Sequence, residues 1–223
     1  MPSMVSFVTM TLLLAVSIHA HFIVQHPPTV GPFNDDDEGK TPCGGYNPDI
    51  DNVNITDFHV DGDVISTRLT HPWSTWLYRI TLDPHAEGDW TEVYPIANQS
   101  GKGFYCIPDV TIPHEFIGKK GFLGIISHAM DGFLYQCSGV HFVEGRGGVP
   151  DDCKNISTES TEPTTGVYAD DPLLSEQLNP HPQADDPAHV ANVAVSGKTE
   201  VFRAFSSIFV VSSLIVLGTI LVV

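Results

Sequence analysis

Histidine stands directly after a small residue at the end of an apolar leader, in "SIHAHFIVQHPP", Ser17 to Pro28. A cut between Ala20 and His21 makes histidine the first residue of the mature chain. Its α-amino group and ring Nδ1 then close a six-membered chelate on one metal ion. A second imidazole from elsewhere completes three nitrogens in a T. Three nitrogens in a plane suit Cu(II), which prefers tetragonal N/O geometry and heads the divalent affinity order. The α-amine of model peptides has a pKa of about 7.7, so a metal displaces its proton near neutral pH. Only cleavage creates this group, because an internal histidine offers one nitrogen and not two.

The cut is expected because residues 4–18, "MVSFVTMTLLLAVSI", carry no charge. The run is short for a spanning helix and suited to a signal-peptide core. Residues 1–20 are therefore read as a signal peptide. No Lys or Arg precedes the run, and Ile18 stands where a smaller residue is usual. Four cysteines, Cys43, Cys106, Cys137 and Cys153, suit two disulfides in an oxidising compartment. Asn54, Asn98 and Asn155 each head an N-x-S/T sequon, so N-glycosylation is expected.

The other end repeats the apolar theme. Residues 205–223, "FSSIFVVSSLIVLGTILVV", are uncharged, follow a polar spacer, and have no basic residues after them. That layout is a glycolipid-attachment signal. Asn192 is the expected attachment residue, since Ala194 lies two positions on, with Ser196 as second choice; residues 193–223 would be removed. The whole chain has formal charge −17. Such acidity repels nucleic acid and anionic lipid and argues against direct binding to either. The membrane is reached through the lipid anchor, at the extracellular face of the plasma membrane or cell wall.

Strand signals dominate the elements that would position His21. "TWLYRITL", Thr75–Leu82, alternates with Trp76, Tyr78, Ile80 and Leu82 on one face. "FLYQCSGVHFV", Phe133–Val143, groups Leu134, Val140 and Phe142. "DVISTRLT" and "GFLGIIS" are shorter candidates, with Gly, Pro and Asn between them, and no amphipathic helix exceeds about two turns. The expected fold is an all-β, antiparallel immunoglobulin- or fibronectin-like sandwich over residues 21–153. Residues 154–192, rich in Ser, Thr, Pro and acidic side chains, read as a disordered, O-glycosylated stalk.

Several segments together resemble fungal copper-binding proteins related to lytic polysaccharide monooxygenases, the copper acquisition factor-like, glycolipid-anchored group. They are "HFIVQHPPTVGPFNDDDEGKTPCGG", "RLTHPWSTWLYRITL", "FYCIPDVTIP" and "HAMDGFLYQCSGVHF". The resemblance covers His21 to about Cys153 and implies a β-sandwich. It implies one Cu(II) ion per chain, held by His21, His71 of "RLTHPWS" and Asp131 of "AMDGFLYQC". His71 could otherwise mark a strand end before Pro72, and Asp131 a plain turn before Gly132. Rival histidines are His26, His59, His85, His114, His128 and His141, with His128 the strongest; His181 and His189 fall in the stalk. The acidic run Asp35–Glu38 lacks the alternate spacing of a calcium loop and reads as a solvated loop. The cysteines also resemble the family pattern. Three pairings stay open, of which Cys43–Cys137 with Cys106–Cys153 is the chosen one.

Two functions compete. The first is a surface protein, not an enzyme, that holds copper and hands it to a plasma-membrane importer, buffers it, or serves the wall through its glycans. The second is a copper-dependent enzyme that cleaves polysaccharide oxidatively. A carboxylate added to three nitrogens fills the plane that oxygen activation needs open and favours Cu(II) over Cu(I). The resemblance points to the first. A wall glycoprotein with an accidental histidine start is the remaining reading.

Overall fold

The alternating strands pack as two sheets. The structure, a computed structural model, describes residues 21–159 and 165–178. In chain order the strands are β1 (Phe22–His26), β2 (Ile55–His59), β3 (Asp63–Leu69), β4 (Trp73–Thr81) and β5 (Thr91–Ser100). Then come β6 (Gly103–Val110), β7 (Lys120–Ala129), β8 (Gly132–Val143), β9 (Ile156–Ser157) and β10 (Thr165–Tyr168). One sheet has the order β1-β3-β6-β9, the other β10-β5-β4-β7-β8-β2. The pairings are antiparallel except β2 with β8, which run parallel, so the larger sheet is mixed.

The core lies between the sheets. Trp76, Tyr78 and Ile80 of β4 meet Leu134, Val140 and Phe142 of β8, with Phe22, Ile65 and Leu69 from the facing sheet. Leu82 lies beyond the end of β4 and is largely exposed. The opposite face of β4 is buried too, which is why every residue of the strand after Trp73 is buried. There Arg79 lies with its guanidinium 3.9 Å above the Trp90 ring, and burial lowers its pKa to about 9. Gly124 makes room for this stack, since a Cβ there would come within 2.8 Å of Trp90.

What covers that face comes from the segment read as stalk. β10 pairs with β5, Val167 opposite Asn98. A short helix, α1 (Pro172–Glu176), follows, with Asp171 as its N-cap, accepting from the Leu174 N–H. Leu174 is fully buried against Leu77, Ile126 and Tyr135. Arg79 Nη1 donates to Gln177 O, and the Tyr135 hydroxyl donates to Gln177 Oε1 at 3.0 Å. Folded structure thus extends past Cys153 and includes residues 165–178. Residues 160–164 and 179–192 of the segment read as stalk, Asn192 among them, lie outside the described residues, as do residues 1–20 and the apolar tail.

Of the three open cysteine pairings, the structure forms Cys43–Cys137 and Cys106–Cys153. The first fastens the long β1–β2 connection to β8. Cross-links that close long loops restrict the unfolded chain and stabilise the fold. Three hydrogen bonds reinforce it: Val30 N to Cys137 O, Tyr135 N to Glu38 O, and Gln136 Nε2 to Glu38 Oε1.

Candidate metal centre

The β1–β3 register builds the site. Phe22 stands opposite Leu69, so His21 falls beside Thr70 and one residue from His71. Thr70 N donates to His21 O at 3.0 Å. The Thr70 hydroxyl donates to His21 O at 2.9 Å and accepts from His21 N at 2.8 Å. His71 lies in the middle of the three-residue β3–β4 connection and is 2% exposed. The turn between β7 and β8 carries Asp131, whose Oδ1 lies 3.2 Å from His71 Nε2.

The decisive feature is what the ring nitrogens do. His21 Nδ1 and His71 Nε2 are buried and form no hydrogen bond. Asp131 is near His71 and Asp35 Oδ1 is 3.4 Å from His21 Nδ1, but neither contact is aligned as an N–H···O bond. Buried polar atoms nearly always have partners, and those that lack one ask for a reason. Five of the six rival histidines have theirs. His59 contacts Asp63 at 2.8 Å, His114 contacts Asp61 at 2.8 Å, and His141 contacts Asp57 at 2.9 Å. His85 Nδ1 meets Pro48 O at 3.1 Å. His128, the strongest rival, is held at 2.7 Å by Asp171, which also accepts from the Thr75 hydroxyl. These bonds, with the Leu174 N–H, outweigh burial and hold the Asp171 carboxyl below its ordinary pKa. His26 sits at the far end of β1 from His21.

The acidic run is not one solvated loop. Asp37 bonds Asn34 and Lys40 locally. Glu38 is 2% exposed; its Oε1 accepts from Phe22 N at 3.3 Å and from Gln136 Nε2 at 2.6 Å, and its Oε2 has no partner. Burial raises its pKa to about 8, with repulsion from Asp35 and Asp131 adding to the rise and the two hydrogen bonds opposing it. Phe33 places its ring 4.8 Å from the His21 ring. Phe33, Asp35, Glu38 and Thr70 were not legible as site residues, since an acidic run gives no sign of which carboxylate turns inward.

Among the described residues no group of three or more His, Cys, Asp or Glu side chains is placed to hold a metal. The two unpartnered nitrogens are chemically suited to copper, and a carboxylate stands beside each.

Residues 19–158 match the family model described as copper acquisition factor BIM1-like. The chain belongs to that family. It is also similar to a lytic polysaccharide monooxygenase-like protein, X325, of Yarrowia lipolytica, at 26% identity over 173 residues. That match takes in 74% of this chain and 64% of the relative, so the chain spans a little under two thirds of the relative's length. Membership in the copper acquisition family connects the chain with copper.

Proposed function

We propose that the mature protein begins at His21 and binds one Cu(II) per chain through the His21 amine and Nδ1, His71 Nε2 and the Asp131 carboxylate. Its role is to hold copper at the cell surface for acquisition or homeostasis, tethered by a glycolipid at Asn192. The observation that carries this reading is the pair of buried, unpartnered nitrogens, His21 Nδ1 and His71 Nε2. They are the ring atoms an amino-terminal histidine and a second imidazole would turn to a metal. Copper supplies Lewis acidity and one-electron redox capacity there. The chain's part is to orient the donors: Thr70 fixes His21, burial fixes His71, and the β7–β8 turn brings the carboxylate.

The test is direct. Amino-terminal sequencing of the secreted protein should give histidine first, and calorimetry should show one tight Cu(II) site. A single Gly added before His21 should abolish that site while leaving the fold intact, because it moves the amine out of chelate range. Undiminished copper affinity in the extended protein overturns the reading. A phospholipase specific for inositol lipids should release the protein from cells.

The second reading, oxidative polysaccharide cleavage, draws on Trp73. It lies two residues from His71 and is 43% exposed, and an exposed indole face can stack on sugar rings. Release of oxidised oligosaccharides by the copper-loaded protein would establish it.

A further inference from the structure

The acidic loop after β1 uses its carboxylates unequally. Asp37 is taken up by Asn34 Nδ2 and Lys40 Nζ. Glu38 is turned inward onto Phe22 N and Gln136. The Asp36 backbone N–H donates to Asn34 Oδ1 at 3.3 Å, closing the turn. Asp35 alone of the four reaches His21, with Oδ1 3.4 Å from Nδ1. Phe33, two residues earlier, covers the same imidazole from 4.8 Å. Cys43–Cys137 and the Glu38–Tyr135 main-chain bond tie the loop to β8.

The arrangement is paired. One loop sets Asp35 against Nδ1 of His21, and another sets Asp131 against Nε2 of His71. Each buried nitrogen has a carboxylate within 3.4 Å that makes no aligned hydrogen bond to it. A metal on His21 Nδ1 would have the Asp35 carboxylate close by, as one on His71 Nε2 would have Asp131. We propose that Asp35 is a second carboxylate of the metal centre, binding or directly facing the ion and making the site selective for Cu(II) over Cu(I). This assignment rests on the metal-centre reading above.

The selectivity follows from charge and hardness. Two carboxylates neutralise a dication and leave a net negative charge around a monocation. Oxygen donors also suit the harder, higher-charged ion. Reduction by an external one-electron donor therefore weakens the grip, and release of the ion as Cu(I) is coupled to that electron.

Asp35→Asn keeps the size and removes the charge, and Asp36→Asn removes the same charge one residue away. Both side chains are exposed, and both variants should fold as the parent does. With CuSO4 as probe, Asp35→Asn should weaken Cu(II) affinity about tenfold or more, a modest demand on a charge lost within contact distance of the ion. Its Cu(II) spin-resonance spectrum should change and its reduction potential should rise, while Cu(I) affinity, measured against a Cu(I) chelator, changes far less. Asp36→Asn should leave the spectrum unchanged. If the two variants share one spectrum and one affinity, the Asp35 assignment is overturned and the metal-centre reading stands. If the parent itself shows no copper site that depends on a free His21 amine, both fall.

Discussion

Thr70 grips His21 at both of its main-chain polar groups. Its N–H and hydroxyl donate to His21 O, and the same hydroxyl accepts from His21 N at 2.8 Å. Chain termini usually fray unless tied down. Here the first residue of the expected mature chain is held by the residue next to the second histidine. A floating terminal amine would have to be ordered at the moment of binding, and that entropy would be subtracted from the affinity.

Thr70→Val isolates this effect. Valine keeps the branched shape that suits the strand end, and the backbone bond to His21 O remains. The two hydroxyl bonds are lost, with a net cost of about 1 kcal/mol. Cu(II) affinity should fall by roughly the matching factor of about fivefold, with little change in the spin-resonance spectrum, since no ligand is removed. A variant that binds copper as the parent does, in calorimetry at the same pH, would show that Thr70 does not preorganise the terminus.

Asp131→Asn addresses the choice between storage and oxidation. If the carboxylate ligates copper, its loss should lower Cu(II) affinity on the order of tenfold to a hundredfold. The reduction potential should rise, and in Asp131→Ala, which also vacates the position, reactivity toward peroxide should increase. Should affinity, potential and spectrum all stay as they were, Asp131 is a turn residue and the oxidative reading gains ground.

The strands that bury one face on the core were legible because their side chains alternate, as in Trp76, Tyr78 and Ile80. His21 and His71 were singled out through chemistry and family resemblance, and the structure leaves a buried ring nitrogen of each without a hydrogen-bond partner. Glu38 and Asp35 were not: in "DDDE" four acids look alike, and only the tertiary fold decides which one faces Phe22 N and which faces His21. The α1 segment was hidden for another reason. A four-residue strand and a five-residue helix are too short to show a period, and the surrounding Ser, Thr, Pro and acidic residues resemble a solvated chain. Its docking depends on Leu174, Gln177 and the cap Asp171, against an outer face of β4 that the sequence gives no reason to think is covered.

Glu38 makes metal-free stability depend on pH. Its pKa is about 8 in the folded chain against an ordinary 4.5. Between those values the folded state holds the proton and the unfolded state does not. Stability therefore falls as pH rises from about 4.5 to about 8, then levels off. Glu38→Gln stays neutral throughout and should remove this fall. Denaturation curves of the two proteins, taken with a chelator present, should diverge with pH. The variant should gain on the order of 2–4 kcal/mol relative to the parent by pH 8.5, compared with pH 5. Parallel stability profiles would mean that Glu38 is ionised, and solvated, in the folded protein.

Leu174 tests whether the segment after β10 is part of the domain. It is fully buried against Leu77, Ile126 and Tyr135, and truncating such a leucine costs about 2–5 kcal/mol when the whole fold must absorb the cavity. Here the helix has another option, which is to leave. Detachment would free Arg79, a buried guanidinium bonded by Nη1 to Gln177 O, to regain water, and that gain offsets part of the loss. The cost of Leu174→Ala is therefore capped by the free energy of docking the helix. The expected result is a small drop in melting temperature with a large rise in proteolytic cleavage within Pro172–Glu176. Copper affinity should hold, because His21, His71 and Asp131 are fixed by β1, β3 and the β7–β8 turn. If cleavage there is as slow in the variant as in the parent, Leu174 is not what holds the helix. If copper binding falls with it, the contact from Asp171 to His128 carries strain along β7 to Asp131.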